Sequence, residues 1–279
     1  MMIIKLFIFV SIVGGHNMKD FLYLHIPKCA GNSIKEKFMR KWTNTNLPKS
    51  QEEIGEDIKQ NIQTIYASLH RTKIFHFSLE QLFEIGLLSE ELIDKIFTFT
   101  FVRNPYNRVV SSYFYQLNSL LEDIQGGLSS DAEMPFFAEL DKDGLVITRN
   151  YFFPKEGIET IDDLKNIYSF NFYIKNVVLP IVQNKQYYFL YQNQLVPQYL
   201  YVFDKKRNKT IDFVGKVENI QEDFNKVSDF LGMEHSLLGR KNAMNCRDNE
   251  DYRHYYTKET RQIIEKVYQT DIQAFGYEF

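Results

Sequence analysis

From Phe21 to Ile26 the chain reads Phe-Leu-Tyr-Leu-His-Ile, a short apolar run closed by Pro27, and this pattern predicts a buried strand. After Ile34 the period changes. Ile34, Phe38 and Trp42 recur with Lys35, Glu36, Lys37, Arg40 and Lys41 between them, the stripe of an amphipathic helix. Pro27–Ser33 is the loop that joins the two. The same order returns further on. Ile96–Val102 is the clearest strand in the chain and runs into Arg103-Asn104-Pro105. Asn104 suits a helix cap and Pro105 the first helical position, and Val109, Val110, Tyr113 and Phe114 continue an apolar helical face.

The other segments are read more coarsely. Residues 48–62 are polar and predict a connecting helix and loop; Lys73–Phe77 predicts a short strand and Ser78–Leu88 a helix. Tyr187–Tyr191 and Tyr199–Phe203 read as later strands, Lys205–Lys209 as a basic turn, and Ile220–Leu231 and Thr257–Phe275 as closing helices. Alternating strands and helices imply an α/β fold, its central sheet mainly parallel and flanked by helices on both faces. Residues 118–175 are irregular and rich in aromatics, and are expected to be an insertion over the sheet edge within one domain spanning 18–279. Residues 1–17 form an apolar extension. Met1 to Val13 is too short to span a bilayer, which needs about 20 apolar residues, and no small-x-small cleavage site follows it. The reading preferred here is an over-extended start with Met18 as the natural first residue, and a weak membrane anchor is the alternative.

Composition narrows the function classes. The 279 residues, 44% hydrophobic, suffice for a sizeable core, and a net charge of −3 supplies no broad cationic field for nucleic acid. Any anion site must be local. The 24 Phe and 18 Tyr suggest, beyond a core, a surface that stacks flat ligands. Cys29 and Cys246 make neither a disulfide framework nor a zinc site. Asp141-Lys142-Asp143 reads as a solvated turn, so no metal is expected.

A loop leading from a strand's carboxyl end into a helix collects backbone N–H groups and the positive end of the helix dipole, which suits phosphate or sulfate. In Pro27–Ser33, Gly31 permits close backbone approach, Ser33 adds a hydroxyl and Lys28 a point charge. An ordinary strand–helix turn with a surface lysine reads equally well from this loop alone. A Walker A loop is absent, which removes the main part of a P-loop kinase.

His25-Ile26-Pro27-Lys28-Cys29-Ala30-Gly31-Asn32-Ser33 resembles the 5′-phosphosulfate loop of the carbohydrate sulfotransferase family, which includes heparan 2-O- and chondroitin sulfotransferases and bacterial relatives. Phe101 to Tyr113, reading Phe-Val-Arg-Asn-Pro-Tyr-Asn-Arg-Val-Val-Ser-Ser-Tyr, resembles that family's 3′-phosphate motif. Weaker similarity covers Val214–Asn219 and the tail Tyr252–Phe279. The family's loop often has Thr or Gly where this chain has Cys29 and Ala30; the donors there are largely backbone, so the departure changes little.

The resemblance implies a P-loop-like sulfotransferase fold and a grip on 3′-phosphoadenosine-5′-phosphosulfate (PAPS). Pro27, Lys28, Cys29, Ala30, Gly31, Asn32 and Ser33 would hold its sulfated 5′ end, and Arg103 with Ser111 its 3′-phosphate. Arg108 is an alternative phosphate ligand, although a solvated helix position is its preferred reading. Lys28 would assist the leaving bridging oxygen. His76, chosen over His70, matches the position of the family's general base, while His25 reads as a core or loop-bracing residue. The acceptor would be a hydroxyl, of a glycan by the resemblance, selected within 118–175. Tyr113, Tyr115, Phe136, Phe137, Tyr151, Phe152 and Phe153 are candidates to floor its groove, though core is the preferred reading for any one of them. Two alternatives stay open: a non-catalytic nucleotide- or glycan-binding member, and a nucleotide phosphotransferase. The expected location is cytoplasmic, with peripheral membrane contact left open.

Overall fold

A computed structural model describes residues 21–34, 37, 78–84, 88–125, 139–140, 146–147, 158–183, 194–206, 208–239 and 251–279. In chain order the principal elements are β1 (Phe21–Leu24), a helix α1 opening at residue 31, α2 (Leu79–Glu84), β2 (Phe97–Val102), α3 (Pro105–Gln125), α4 (Ile161–Ile167), β3 (Phe213–Lys216), α5 (Ile220–Leu231), α6 (Lys258–Val267) and α7 (Gln269–Phe275). The strands expected at 73–77 and 187–191, the Asp141–Asp143 turn and the N-terminal extension lie outside the described residues. No helix among the described residues is long and apolar enough to cross a membrane.

The chain divides into two compact units, each drawn from two stretches of sequence. The first comprises Met1–Arg103 and Gln198–Asn242. Its sheet has the order β1-β2-β3, all parallel, with Phe21 opposite Phe97 and Phe99 opposite Phe213. Both faces of β2 are buried. Phe97, Phe99 and Phe101 join Phe21, Tyr23, Phe224, Val227 and Leu231 in one apolar cluster. The intervening threonines are also buried, and each hydroxyl is satisfied. Thr100 donates to the carbonyl of Leu24, and Thr98 donates to the Asp212 carboxylate at 2.7 Å. A Thr in the Phe-Thr-Phe-Thr-Phe alternation is therefore a buried position with a polar partner.

β3 was not singled out as a strand from the sequence, because it is short and interrupted by Gly215. The structure explains the glycine: a Cβ there would lie 2.6 Å from the Phe101 ring. Tyr199–Phe203 is a correction. Tyr199–Val202 is a helical turn, and only Phe203–Asp204 is extended, paired with Lys209–Thr210. Two lysines of the basic turn at 205–209 are paired, Lys206 with Glu80 and Glu84 and Lys209 with Asp94.

The second unit comprises Asn104–Pro197 and Ala243–Phe279. Its core gathers Val109, Val110, Tyr113, Phe114 and Leu117 of α3 with Leu164, Tyr173, Ile181, Ile264 and Tyr268. α3 opens as the sequence predicts: the Asn104 side chain accepts from the Tyr106 N–H at 3.0 Å. The amide of Asn104 donates onward to the carbonyl of Glu278 at 2.7 Å and to the Tyr252 hydroxyl at 3.2 Å, tying the cap to the C-terminal tail. Part of the irregular stretch is helical, with α4 started by a Thr160/Asp163 capping box. A π-turn at Ile174–Val178 precedes Leu179–Gln183. Pro180 explains it, since proline has no N–H to give and its ring crowds the carbonyl four residues back. The helix expected over Thr257–Phe275 is two, α6 and α7, broken at Tyr268. The buried phenol there donates to the Leu195 carbonyl.

Candidate donor-binding site

Because the sheet is parallel, β1 and β2 end on the same side of the first unit, and the two sequence motifs leave from those ends. After β1 the backbone turns tightly. The Cys29 N–H donates to Ile26 O at 3.3 Å, and both Lys28 (φ 66) and Ala30 (φ 59) take the left-handed conformation. Turns that contain left-handed residues are the backbone conformation from which anion-binding nests are built. The ladder of α1 begins with Ser33 and Ile34, which both donate to Ala30 O, so the amides of Gly31 and Asn32 come ahead of it. Ser33 and Cys29 are buried, whereas Lys28 is half-buried and Asn32 exposed.

Gly31 has a packing reason as well as a backbone one. A Cβ at this position would fall 1.7 Å from Nε2 of His25. The imidazole stacks on Tyr23 with ring centroids 6.0 Å apart. His25 is therefore a brace under the loop, as the sequence suggested. Burial raises the Tyr23 phenol well above its ordinary pKa, with a smaller push from Cys29, so it stays neutral in the core.

At the end of β2, Arg103 is joined to the first loop. Its Nη1 donates to the Lys28 carbonyl at 3.3 Å. Its backbone N–H donates to Gln198 Oε1 and its carbonyl accepts from Gln198 Nε2, both at 2.8 Å. The same Oε1 accepts from the Cys29 thiol at 3.1 Å. The first unit thus brings Lys28, Cys29 and Arg103 together, and adds Gln198, which sequence reasoning missed. Nothing in Val196-Pro197-Gln198 marks this glutamine, because its partners lie 95 and 169 residues away.

Ser111 and Arg108 lie on α3, in the second unit. Ser111 is half-buried, and among the described residues no hydrogen bond occupies its hydroxyl. Its neighbour Ser112 is committed, donating to Gln194 at 3.2 Å and accepting from Tyr173 at 3.0 Å. Arg108 corrects the sequence reading: it is 1% exposed rather than solvated. Spacing of four residues puts Arg108, Ser112 and Gln116 on one ridge of α3. Gln116 donates to the Tyr173 hydroxyl and accepts from Tyr168. Burial raises the Tyr173 phenol, and the Ser112 hydrogen bond and the Arg108 charge oppose that rise. Tyr113 belongs to the core rather than to a groove, and Tyr115 is exposed. His76, His70, Phe136, Phe137, Tyr151, Phe152 and Phe153 lie outside the described residues. No group of three His, Cys, Asp or Glu able to hold a metal occurs among the described residues.

A parallel sheet whose strand ends run through short polar loops into helices defines an α/β protein, and in such folds the carboxyl edge of the sheet is where ligands bind. Residues 16–278 match the model of the Sulfotransferase family, and the chain belongs to that family. Searches of curated proteins and of solved structures gave no match.

Proposed function

We propose that the protein transfers a sulfuryl group from PAPS to a carbohydrate hydroxyl. The observation that carries this reading is the loop with left-handed Lys28 and Ala30 flanking Cys29, bonded through the Lys28 carbonyl to Arg103. Backbone N–H groups and a lysine suit a 5′-phosphosulfate, and a guanidinium offers paired donors to a phosphate. The donor set thus fits PAPS by its chemistry. Pro27 to Ser33 hold the sulfated end, Arg103 supplies a guanidinium to the 3′-phosphate and Ser111 a hydroxyl.

In the reaction an acceptor oxygen attacks sulfur as the bond from sulfur to the bridging oxygen breaks. The acceptor proton passes to His76, and the electron pair of the broken bond remains on adenosine 3′,5′-bisphosphate. Lys28 stabilises that developing charge, and such positioned charge can lower a barrier as much as the base does. The products are a sulfate ester, the bisphosphate and a proton.

Calorimetric titration with adenosine 3′,5′-bisphosphate, with ATP as control, tests the donor. Binding without metal that Arg103→Ala abolishes supports it, whereas a preference for ATP with magnesium sinks it. Lys28→Ala and His76→Ala should fold yet lose transfer, and full activity in His76→Ala would remove that residue as the base.

A further inference from the structure

We infer that Gln198 is a positioning residue for the donor nucleotide, holding the strand-end residue Arg103 where its guanidinium reaches the 3′-phosphate. The inference rests on the reading of Arg103 as a ligand of the 3′-phosphate.

The argument starts from where the sheet stops. The last residue of β2 in register with β1 is Thr100, opposite Leu24, and the last in register with β3 is Val102, opposite Lys216. Arg103 stands three residues beyond the first ladder and one beyond the second. The Gln198 side-chain amide supplies what a neighbouring strand would have given. Its Oε1 takes the Arg103 N–H and its Nε2 feeds the Arg103 carbonyl, each at 2.8 Å. One primary amide thereby extends the pairing of the sheet by a residue, at the residue whose side chain must be aimed.

The third bond gives this pairing its reach. Oε1 also accepts from the thiol of Cys29, which is fully buried between the two left-handed residues. The circuit closes through the Arg103 side chain, whose Nη1 donates to the Lys28 carbonyl. Loop, strand end and guanidinium therefore hold one another through a single buried side chain, itself 0% exposed. The chemistry selects glutamine. Glutamate has no hydrogen to give the Arg103 carbonyl and adds a negative charge beside an anion site. Methionine matches the length without either bond. Preorganisation of this kind raises affinity by removing the ordering cost of binding.

The readout is discrimination, not affinity alone. Adenosine 3′,5′-bisphosphate and AMP differ only in the 3′-phosphate, so the ratio of their dissociation constants reports how well Arg103 is aimed. Both are measured with wild type, Gln198→Met and Gln198→Glu, AMP by competition. The expected result is that Gln198→Met loses about tenfold in affinity for the bisphosphate, the range that one or two neutral hydrogen bonds supply, while AMP is nearly unaffected. Gln198→Glu should lose more. A merely structural residue would weaken both ligands in proportion, and an unchanged ratio overturns the inference. Should neither variant fold, the Gln198 side-chain amide resonance of the wild type decides it. That resonance shifts more with the bisphosphate than with AMP if the inference holds, and an equal response to both overturns it. Wild type that fails to bind the bisphosphate overturns the donor reading itself, and this inference with it. Wild-type binding with unaltered discrimination in the variants overturns this inference alone.

Discussion

At Gly31 two requirements meet in one residue. The loop needs a backbone that a ligand can approach, and His25 already fills the space where a Cβ would stand. Gly31→Ala should therefore destabilise the protein by about 1–3 kcal/mol, the usual range for overpacking. Adding His25→Ala to it should recover much of that loss, a non-additivity that thermal melts of the two single variants and the double variant would show. Melts in which the two changes simply add would mean that the ring is not what the Cβ meets. Residue-scale chemistry was legible in the sequence wherever it sat in a contiguous motif. Lys28, Gly31 and Arg103 could be singled out because strand, loop and helix follow one another in the chain. Gln198 and the buried state of Arg108 could not, because each depends on partners brought in from distant sequence. An arginine on a helix reads as solvated until its face is known to be the inner one.

Elements were legible in proportion to how strongly local pattern fixed them. Ile220–Leu231 was read with its observed bounds, helped by Gly232 in the left-handed conformation (φ 72) that ends it. β2 was one residue shorter than read. Tyr199–Val202 was misread because its aromatic residues favour strands in general, while tertiary packing sets it as a helical turn. In 158–183 the signal was local but quiet. The Thr160 hydroxyl accepts from the Asp163 N–H, and the Asp163 carboxylate returns to the Thr160 N–H at 2.9 Å. Thr160→Ala should cost about 1 kcal/mol of stability. The capping hydrogen bonds, first from the Thr160 side chain and then from backbone N–H groups, hold the Asp163 carboxyl below its ordinary 3.8. The sign follows. A depressed folded value means that this stabilisation is full above the unfolded pKa and is lost as pH falls through the folded one. A carbon-detected titration should place the Asp163 midpoint below 3.8, and Thr160→Ala should move it up toward that value.

At the scale of the whole chain, each unit is assembled from two separated stretches, and each has its own apolar cluster. The C-terminal stretch is therefore part of the second core and not an appendage. Tyr252, Ile264 and Tyr268 belong to that cluster, and Phe279 packs edge-on to Tyr106 with centroids 4.9 Å apart. Removing residues 243–279 should abolish hydrogen-exchange protection along α3. A truncated chain in which α3 stays protected would show that the rest of that cluster suffices. The parallel sheet and its flanking helices were legible as a class because alternating strands and helices admit few other solutions. The partition into interleaved units was not, since no composition shift marks the places where the chain crosses from one to the other.

Those crossings have a consequence of their own. The excursion 104–197 departs after Arg103 and returns at Gln198, and these two residues are hydrogen-bonded to each other at 2.8 Å in both directions. The two ends of the excursion are thus clasped to each other within the first unit. The sequence between them can lengthen at its loops, provided the positions that pack with 243–279 are kept. A lineage could thus vary the excursion without moving the two residues that close it.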